Sequence, residues 1–438
     1  MCSFTVTNKN VDLHVGNIFS QRRGPDHTVI KTVNNIHFLH NLLHITGDII
    51  LQPFIDNDIV CVYNGEIYNY KDFGNYESDG QCIVELYKQY GIDFAKKLDG
   101  EFAICLIDFS KSKLYIINDT FATKPVWIGT DGQYWGVASY KSSLQAIDCQ
   151  YIEKMPGNTA IELDLSTLTE SNRIQLTEFD LTQYKKTYDD WIIAFESSIQ
   201  KRTANTDHKI FLGLSAGYDS GAISCELNKQ SITYKAFTVM SNEDRDIISK
   251  RHNLIADAEQ MHLTRSEYDS MTFQIREICE DFEYSDRFKN YNIKSDKASV
   301  GLAMICQKAC NENYRIYLSG QGADEIISDY GFNGHKIYDH SSFGGRFPSD
   351  LKTIFPWHSF YDGTQIQYLN KEEYIAGAFG IETRYPFLDK HLVQEFLWLV
   401  PELKNKKYKA PIDEYLNRNQ FPFQRGVKTG FQANKNLK

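Results

Sequence analysis

What this chain lacks narrows its function first. No stretch approaches the ~18 consecutive apolar residues of a membrane span, and the first residues lack a basic segment leading into an apolar one. No membrane partner is expected, and a cytoplasmic location is. An excess of positive charge is also missing: the formal charge of -10 argues against a nucleic-acid binder that works through its net field. Cysteine pairs are missing as well. The nine cysteines are an odd number scattered without a CxxC spacing, which suits a reducing compartment better than a disulfide framework. Cys306 and Cys310 lie one helical turn apart, but without His or Cys ligands nearby they read as core thiols.

What is present is an ordinary globular composition, 42% hydrophobic and 24% charged, with 27 Tyr and 27 Phe to fill cores and pockets. A length of 438 residues exceeds one ordinary core and favours two or three domains. Residues 163–188 turn polar and lose hydrophobic periodicity, which marks a connection between a first domain at 1–165 and a second at 185–438. The first is rich in short strand-like segments at 59–63, 102–107 and 114–117. One helical pattern runs over 79–90, with Cys82, Ile83, Leu86 and Tyr90 on one face. Three polar clusters, at 22–27, 63–69 and 78–80, interrupt the strands, and Asn64-Gly65 alone would suit a hairpin turn.

Cys2 follows Met1 directly. Once Met1 is removed, its thiol is a nucleophile with its own base, because the free α-amine, with a pKa of about 7.7 to 8.0, can take the thiol proton.

In the second domain a helix is expected over 189–202. An apolar strand at 209–214 then runs into the small-residue loop Ser215-Ala216-Gly217 and a helix that opens near Tyr218-Asp219-Ser220. Small residues let several backbone amides converge on one phosphate beside a positive helix terminus. The GxxxxGKS/T pattern of a Walker loop is absent. A second strand, at 316–318, ends in Ser319-Gly320-Gln321-Gly322-Ala323-Asp324-Glu325, a position where ligands bind at the mouth of a doubly wound sheet.

In order along the chain stand Cys2, the RRGPD segment at 22–26, NGEIYN at 64–69, SD at 78–79 and LDGEFA at 98–103. The series resembles the glutaminase domain of glutamine-dependent asparagine synthetases. The 215–220 loop resembles the SGGxDS pyrophosphatase loop of the same family, and 318–325 its LSGEGxDE loop. GIETRYPFLD at 380–389 and RGVKTGF at 425–431 are similar to the family's C-terminal segments.

The resemblance implies a two-domain α/β protein: an Ntn-type layered αββα glutaminase, then a doubly wound parallel-sheet ATP pyrophosphatase domain. It implies that Cys2 attacks glutamine, that the Asn64 side chain and Gly65 amide hold the oxyanion, and that Glu66 and Asp79 hold the substrate ammonium. In the second domain it implies ATP contacts from Leu214, Ser215, Gly217, Asp219, Ser220, Val239, Met240, Ser319 and Gly320. Mg²⁺ would be held by Asp219 and Asp324, and Lys428 would stabilise charge on the phosphates. The substrates would be glutamine, ATP and a carboxylate acceptor, aspartate by default. Ammonia would pass through an internal tunnel, and a homodimer is the family habit.

Four positions depart from the family pattern. Leu42 stands where an arginine pairs the glutamine carboxylate, Ala216 where a glycine is usual, and Gln321 where a glutamate is implicated in the aspartate reaction. Arg425 lies one residue farther from Lys428 than usual. Arg22, Arg23 and His44 are candidates to replace the missing arginine. The change at Gln321 leaves room for another acceptor, such as a uronic acid of a surface polysaccharide. The change at Leu42 would permit a synthetase that uses free ammonia, and a catalytically silent relative is the third reading.

Overall fold

A computed structural model describes residues 2–241, 243–285, 290–294, 296–426 and 433. They form two compact units, the first from residues 1–178, 205–207 and 377–381, the second from 179–204, 208–376 and 382–438.

In the first unit, alternating apolar segments make two antiparallel sheets. The strands are β1 (Ser3–Thr7), β2 (His27–Val33), β3 (Ile36–Leu42), β4 (Phe54–Asp56), β5 (Ile59–Ile67), β6 (Gly100–Asp108), β7 (Lys113–Asn118), β8 (Trp127–Thr130), β9 (Trp135–Ala138), β10 (Tyr151–Lys154), β11 (Thr159–Asp164) and β12 (Glu170–Gln175). One sheet runs β10-β8-β9-β1-β3-β2 and the other β12-β11-β7-β6-β5-β4. Side chains of a strand alternate faces, and inner strands such as β1, β5 and β6 are buried on both. Phe4, Val6 and Phe38 of the first sheet meet Val60, Val62, Cys105 and Ile116 of the second. On its other face the second sheet packs Tyr63, Leu106 and Tyr115 against Ile83, Leu86 and Tyr87 of the helix Cys82–Tyr90. The first sheet packs Leu39 and Ala138 against Leu144 and Ile147, around the helix Lys141–Ala146. The result is an αββα stack. Each fully buried Leu, Ile or Phe contributes about 1.5–3 kcal/mol.

Several sequence expectations need correction. The polar cluster at 63–69 does not break the strand: β5 continues to Ile67, and Asn64 and Gly65 pair with Ala103 and Phe102 of β6. Pairing with a central strand overrides the local turn preference of Asn-Gly. The helix begins at Cys82 after the single 3₁₀ turn Asp79–Gln81, where Ser78 and Gln81 form a capping box. Tyr87 is buried, whereas Tyr90 is 39% exposed at the helix end. The polar stretch 163–188 contains β12, an edge strand that among the described residues pairs only β11. With both faces largely in water it shows no alternation, and its place is set by the ladder to β11 together with a few side-chain contacts, such as Ser171 Oγ to Glu162 at 2.7 Å and Ile174 against the core. Cys306 is buried but Cys310 is exposed, so only the first is a core thiol.

The second unit holds a five-stranded parallel sheet in the order Asp257–Met261, Tyr234–Val239, Lys209–Gly213, Tyr314–Leu318, Glu382–Arg384. The first strand in sequence is central. Chain order moves outward from it in one direction for the second and third strands, then reverses to the fourth and fifth. That reversal makes a topological switch point between Lys209–Gly213 and Tyr314–Leu318, at whose C-terminal ends ligands bind. Both glycine-containing loops named from the sequence leave the sheet there.

Candidate active sites

In the first unit Cys2 stands at the start of β1, a strand held between β3 and β9. Its side chain is 7% exposed, and Sγ donates to the Leu43 carbonyl at 3.9 Å. Arg23 fixes the backbone, donating from Nε to the Cys2 carbonyl at 2.8 Å. Asn64, on β5, is fully buried, yet neither Nδ2 nor Oδ1 has a hydrogen-bond partner. Leaving a buried amide unsatisfied costs about 1–3 kcal/mol, which a ligand's oxygen would recover. Gly65 has φ +147°, and a Cβ there would fall 2.0 Å from the Glu101 carbonyl. Only glycine lets the two strands approach so closely.

Two carboxylates follow. Glu66 is 5% exposed and accepts from Thr46 Oγ1 at 2.7 Å, while Asp79 is 3% exposed and accepts from the Ile67 amide at 2.8 Å. Tyr63 joins them: burial first, then the charges of Asp79 and Glu66, push its hydroxyl well above the usual tyrosine range, and Cys2 adds to the effect. The Tyr63 ring lies where a Cβ at Gly80 would come within 2.2 Å, which accounts for the glycine after Ser78-Asp79. Cys2, Glu66 and Asp79 are thus gathered around one tyrosine. Tyr63, Thr46 and Gln52, which accepts from the Tyr63 amide at 2.7 Å, were not singled out by sequence. None carries a motif of its own.

Leu42 is buried at the end of β3. The three suggested replacements are placed differently. Arg22 is exposed, Arg23 is engaged with the Cys2 carbonyl, and His44 bonds the Gly47 carbonyl at 2.6 Å.

In the second unit the loop after Lys209–Gly213 is tied to itself. Ser215 and Ser220 share a hydroxyl contact at 2.9 Å, the Ser220 hydroxyl accepts from the Ser215 amide at 3.0 Å, and the Gly217 amide donates to Ser215 Oγ at 3.1 Å. Ala216 is not among the positive-φ residues, so alanine fits without strain. Its amide donates to Glu243 Oε2 at 2.6 Å. Arg251, fully buried, braces the loop from beneath: Nη1 donates to the Ser215 carbonyl, Nη2 to Gly217 at 2.8 Å and Nε to Pro422 at 2.7 Å. Burial pushes its pKa down to about 10. Sequence gave no sign of Arg251 or Glu243.

The second loop touches the first, since a Cβ at Gly320 would meet Asp219 Cβ at 2.8 Å. Ser319 is buried, and its hydroxyl accepts from the Gln321 amide at 3.0 Å. Gln321 Nε2 is buried without a partner. Nearby, Glu372 Oε2 is also buried without one, and burial, opposed by the Ser319 hydroxyl, pushes that carboxyl up to about 7. Val239 is buried at the end of its strand, and the Met240 amide donates to the Met261 carbonyl at 2.9 Å. In the 380–389 segment Glu382 and Arg384 pair with each other at 2.6 Å, and Asp389 caps the helix Lys390–Trp398. Lys428 lies outside the described residues. The neighbouring Gly426 amide donates to Tyr218 at 2.8 Å.

Asp219 and Asp324 converge, and between them stands Lys409. Its Nζ donates to Asp219 Oδ1 and Oδ2 at 2.6 and 2.7 Å and lies 2.7 Å from Asp324 Oδ1. Among the described residues no group of three or more His, Cys, Asp or Glu side chains could cage a metal. Two hard carboxylates facing one point fit Mg²⁺ that arrives with phosphate oxygens, the usual manner of its binding at nucleotide sites.

Comparison with known proteins agrees with this division. Residues 4–179 match the glutamine amidotransferase domain family and residues 193–360 the asparagine synthase family. Asparagine synthetase [glutamine-hydrolyzing] 1 of Arabidopsis thaliana is 25% identical over 431 residues, covering 92% of this chain and 69% of that protein. The enzyme named asparagine synthetase [glutamine-hydrolyzing] 2 in Oryza sativa subsp. japonica is 26% identical, with 92% and 68% covered. A putative asparagine synthetase of Methanocaldococcus jannaschii is 25% identical, with 86% and 73% covered. Both domains are matched in the same order as the landmarks above: the chain carries a glutamine amidotransferase domain followed by an asparagine synthase domain.

Proposed function

We propose that the chain hydrolyses glutamine at Cys2 and uses the ammonia to amidate a carboxylate activated with MgATP at the paired loops of the second unit, aspartate being the default acceptor. The observation that carries this reading is the orphaned Asn64 amide, buried on the strand that also bears Glu66. A donor left unpaired at such cost is ready to meet developing negative charge.

In this reading Glu66 and Asp79 hold the glutamine ammonium, and Cys2 Sγ attacks the side-chain amide carbon after passing its proton to the α-amine. The oxyanion takes hydrogen bonds from Asn64 Nδ2 and the Gly65 amide. The α-ammonium returns its proton to the departing nitrogen, ammonia leaves, and water hydrolyses the thioester to glutamate. In the second unit a carboxylate oxygen of the acceptor attacks the α-phosphorus of ATP and pyrophosphate leaves. Ammonia then attacks the acyl carbon and AMP departs. The loop braced by Arg251 positions the phosphates. Bound Mg²⁺, with Asp219 and Asp324 as its protein ligands, would supply charge neutralisation at those phosphates, and Lys428 is proposed to assist.

Gln321 favours keeping a second reading. An amide cannot take a proton as a carboxylate does, so an acceptor other than aspartate, a uronic acid among them, is compatible with this loop. The deciding experiment is pyrophosphate release with MgATP and glutamine, comparing aspartate with a panel of uronic and other carboxylic acids. Asparagine formed with aspartate establishes the default. Release with a sugar acid and none with aspartate replaces it. Thiol alkylation that blocks glutamine but spares ammonium as nitrogen donor assigns Cys2 its role, whereas nucleotide binding without turnover under any condition removes the enzymatic reading.

A further inference from the structure

Lys409 was not marked by its sequence context, a lysine-rich stretch at 404–409. Yet its side chain is 1% exposed, and its ammonium, which has three donors, faces three carboxylate oxygens within 2.7 Å. The backbone is unusual too: Lys409 has φ 47° and ψ 49°, left-handed for a side chain that does not favour it, at the N-terminal cap of the helix Ala410–Arg418. Such a conformation persists only where the surroundings over-determine it. The preceding residue contributes as well, since the Tyr408 hydroxyl donates to Asp324 Oδ1 at 2.9 Å.

We propose that Lys409 is a tethered counter-cation that occupies the divalent-metal position between Asp219 and Asp324 and yields it only when a nucleotide arrives, so that metal binding depends on nucleotide binding. The proposal rests on the reading that these two carboxylates face MgATP. An ammonium and a dication cannot share one point between the same oxygens. Free metal must therefore displace a satisfied lysine and leave its charge without a partner. When metal arrives with a triphosphate, the phosphate oxygens offer the ammonium a new anionic partner within reach of its flexible four-carbon stem. Affinities coupled in this way are reciprocal, so metal also raises nucleotide affinity.

The test uses the full chain with Mn²⁺ as probe, free Mn²⁺ being counted by electron paramagnetic resonance with and without an ATP analogue that has a methylene bridge between the α and β phosphates. Wild type should bind Mn²⁺ at least tenfold more tightly with the analogue than without. Lys409→Met and the more polar Lys409→Gln, two variants in case one fails to fold, should bind Mn²⁺ without nucleotide at least tenfold more tightly than wild type. Lys409→Arg, which keeps the charge, should stay within a few fold of wild type. Unchanged nucleotide-free affinity in both neutral variants overturns the proposal. Asp324→Asn separates that failure from a failure of the underlying reading: loss of Mn²⁺ from the analogue complex keeps the reading, and unchanged binding there removes both.

Discussion

Gly221 lies directly against the guanidinium of Arg251, where an added Cβ would stand 2.2 Å from Nη2. Glycine in the first turns of the helix Tyr218–Lys229 is therefore a space requirement of the arginine that braces the Ser215–Gly217 loop.

Gly221→Ala should displace that brace and weaken ATP binding tenfold or more, equivalent to about 1.4 kcal/mol. Arg251→Lys should do the same, because a point charge cannot reach three carbonyls as a planar fork does. Calorimetric titration with a non-hydrolysable ATP analogue reads both. Wild-type affinity in the two variants would show that the loop needs no support.

Asn64→Ala should lower kcat for glutamine hydrolysis by about 10²–10³-fold, the usual effect of deleting one oxyanion donor. Its thermal midpoint should not fall, since the amide makes no hydrogen bond that the substitution could break. A large loss of stability with activity retained would assign Asn64 to packing instead.

Leu42→Arg should lower the KM for glutamine about tenfold to a hundredfold, the worth of one charge-assisted hydrogen bond. Steady-state glutamate release measures it. No change would mean that the carboxylate of glutamine is held by a group elsewhere.

Asp389→Asn should cost about 3–5 kcal/mol in denaturant unfolding, as expected when one partner of a buried ion pair is removed. Asp389 is buried and meets Lys201 and Arg202, the latter at 3.0 Å. Burial opposes its charge, yet the two cations prevail and hold the carboxyl well below its ordinary value of 3.8. A depressed carboxyl contributes in full above the unfolded value and loses its contribution as pH falls through the folded one. The wild-type advantage over the variant should therefore be constant near neutrality and shrink in acid.

Much of both candidate sites could be named from the sequence because the groups proposed for the chemistry sit in contiguous segments. Cys2, Asn64-Gly65-Glu66, Ser78-Asp79, Ser215–Ser220 and Ser319–Glu325 each announce themselves by residue type and order. The supporting groups did not. Tyr63, Arg251 and Lys409 reach their partners through tertiary contacts, and each reads locally as an ordinary strand, helix or tail residue. The turn preference of the Asn-Gly pair is overridden for the same reason: it is local, whereas the pairing with Ala103 and Phe102 comes from β6, some forty residues later. The strand β12 was hidden by its own polarity. A two-sided polar edge has no period to detect.

The way the two first-unit sheets end has a bearing on whether copies of this chain can add to one another strand by strand. Each edge strand is either brief, as with β4 at three residues and β10 at four, or studded with charge and hydroxyls, as with β2 and β12. Such borders offer a poor template for strand addition by a second molecule. Fibrous stacking edge to edge is thereby discouraged at high protein concentration.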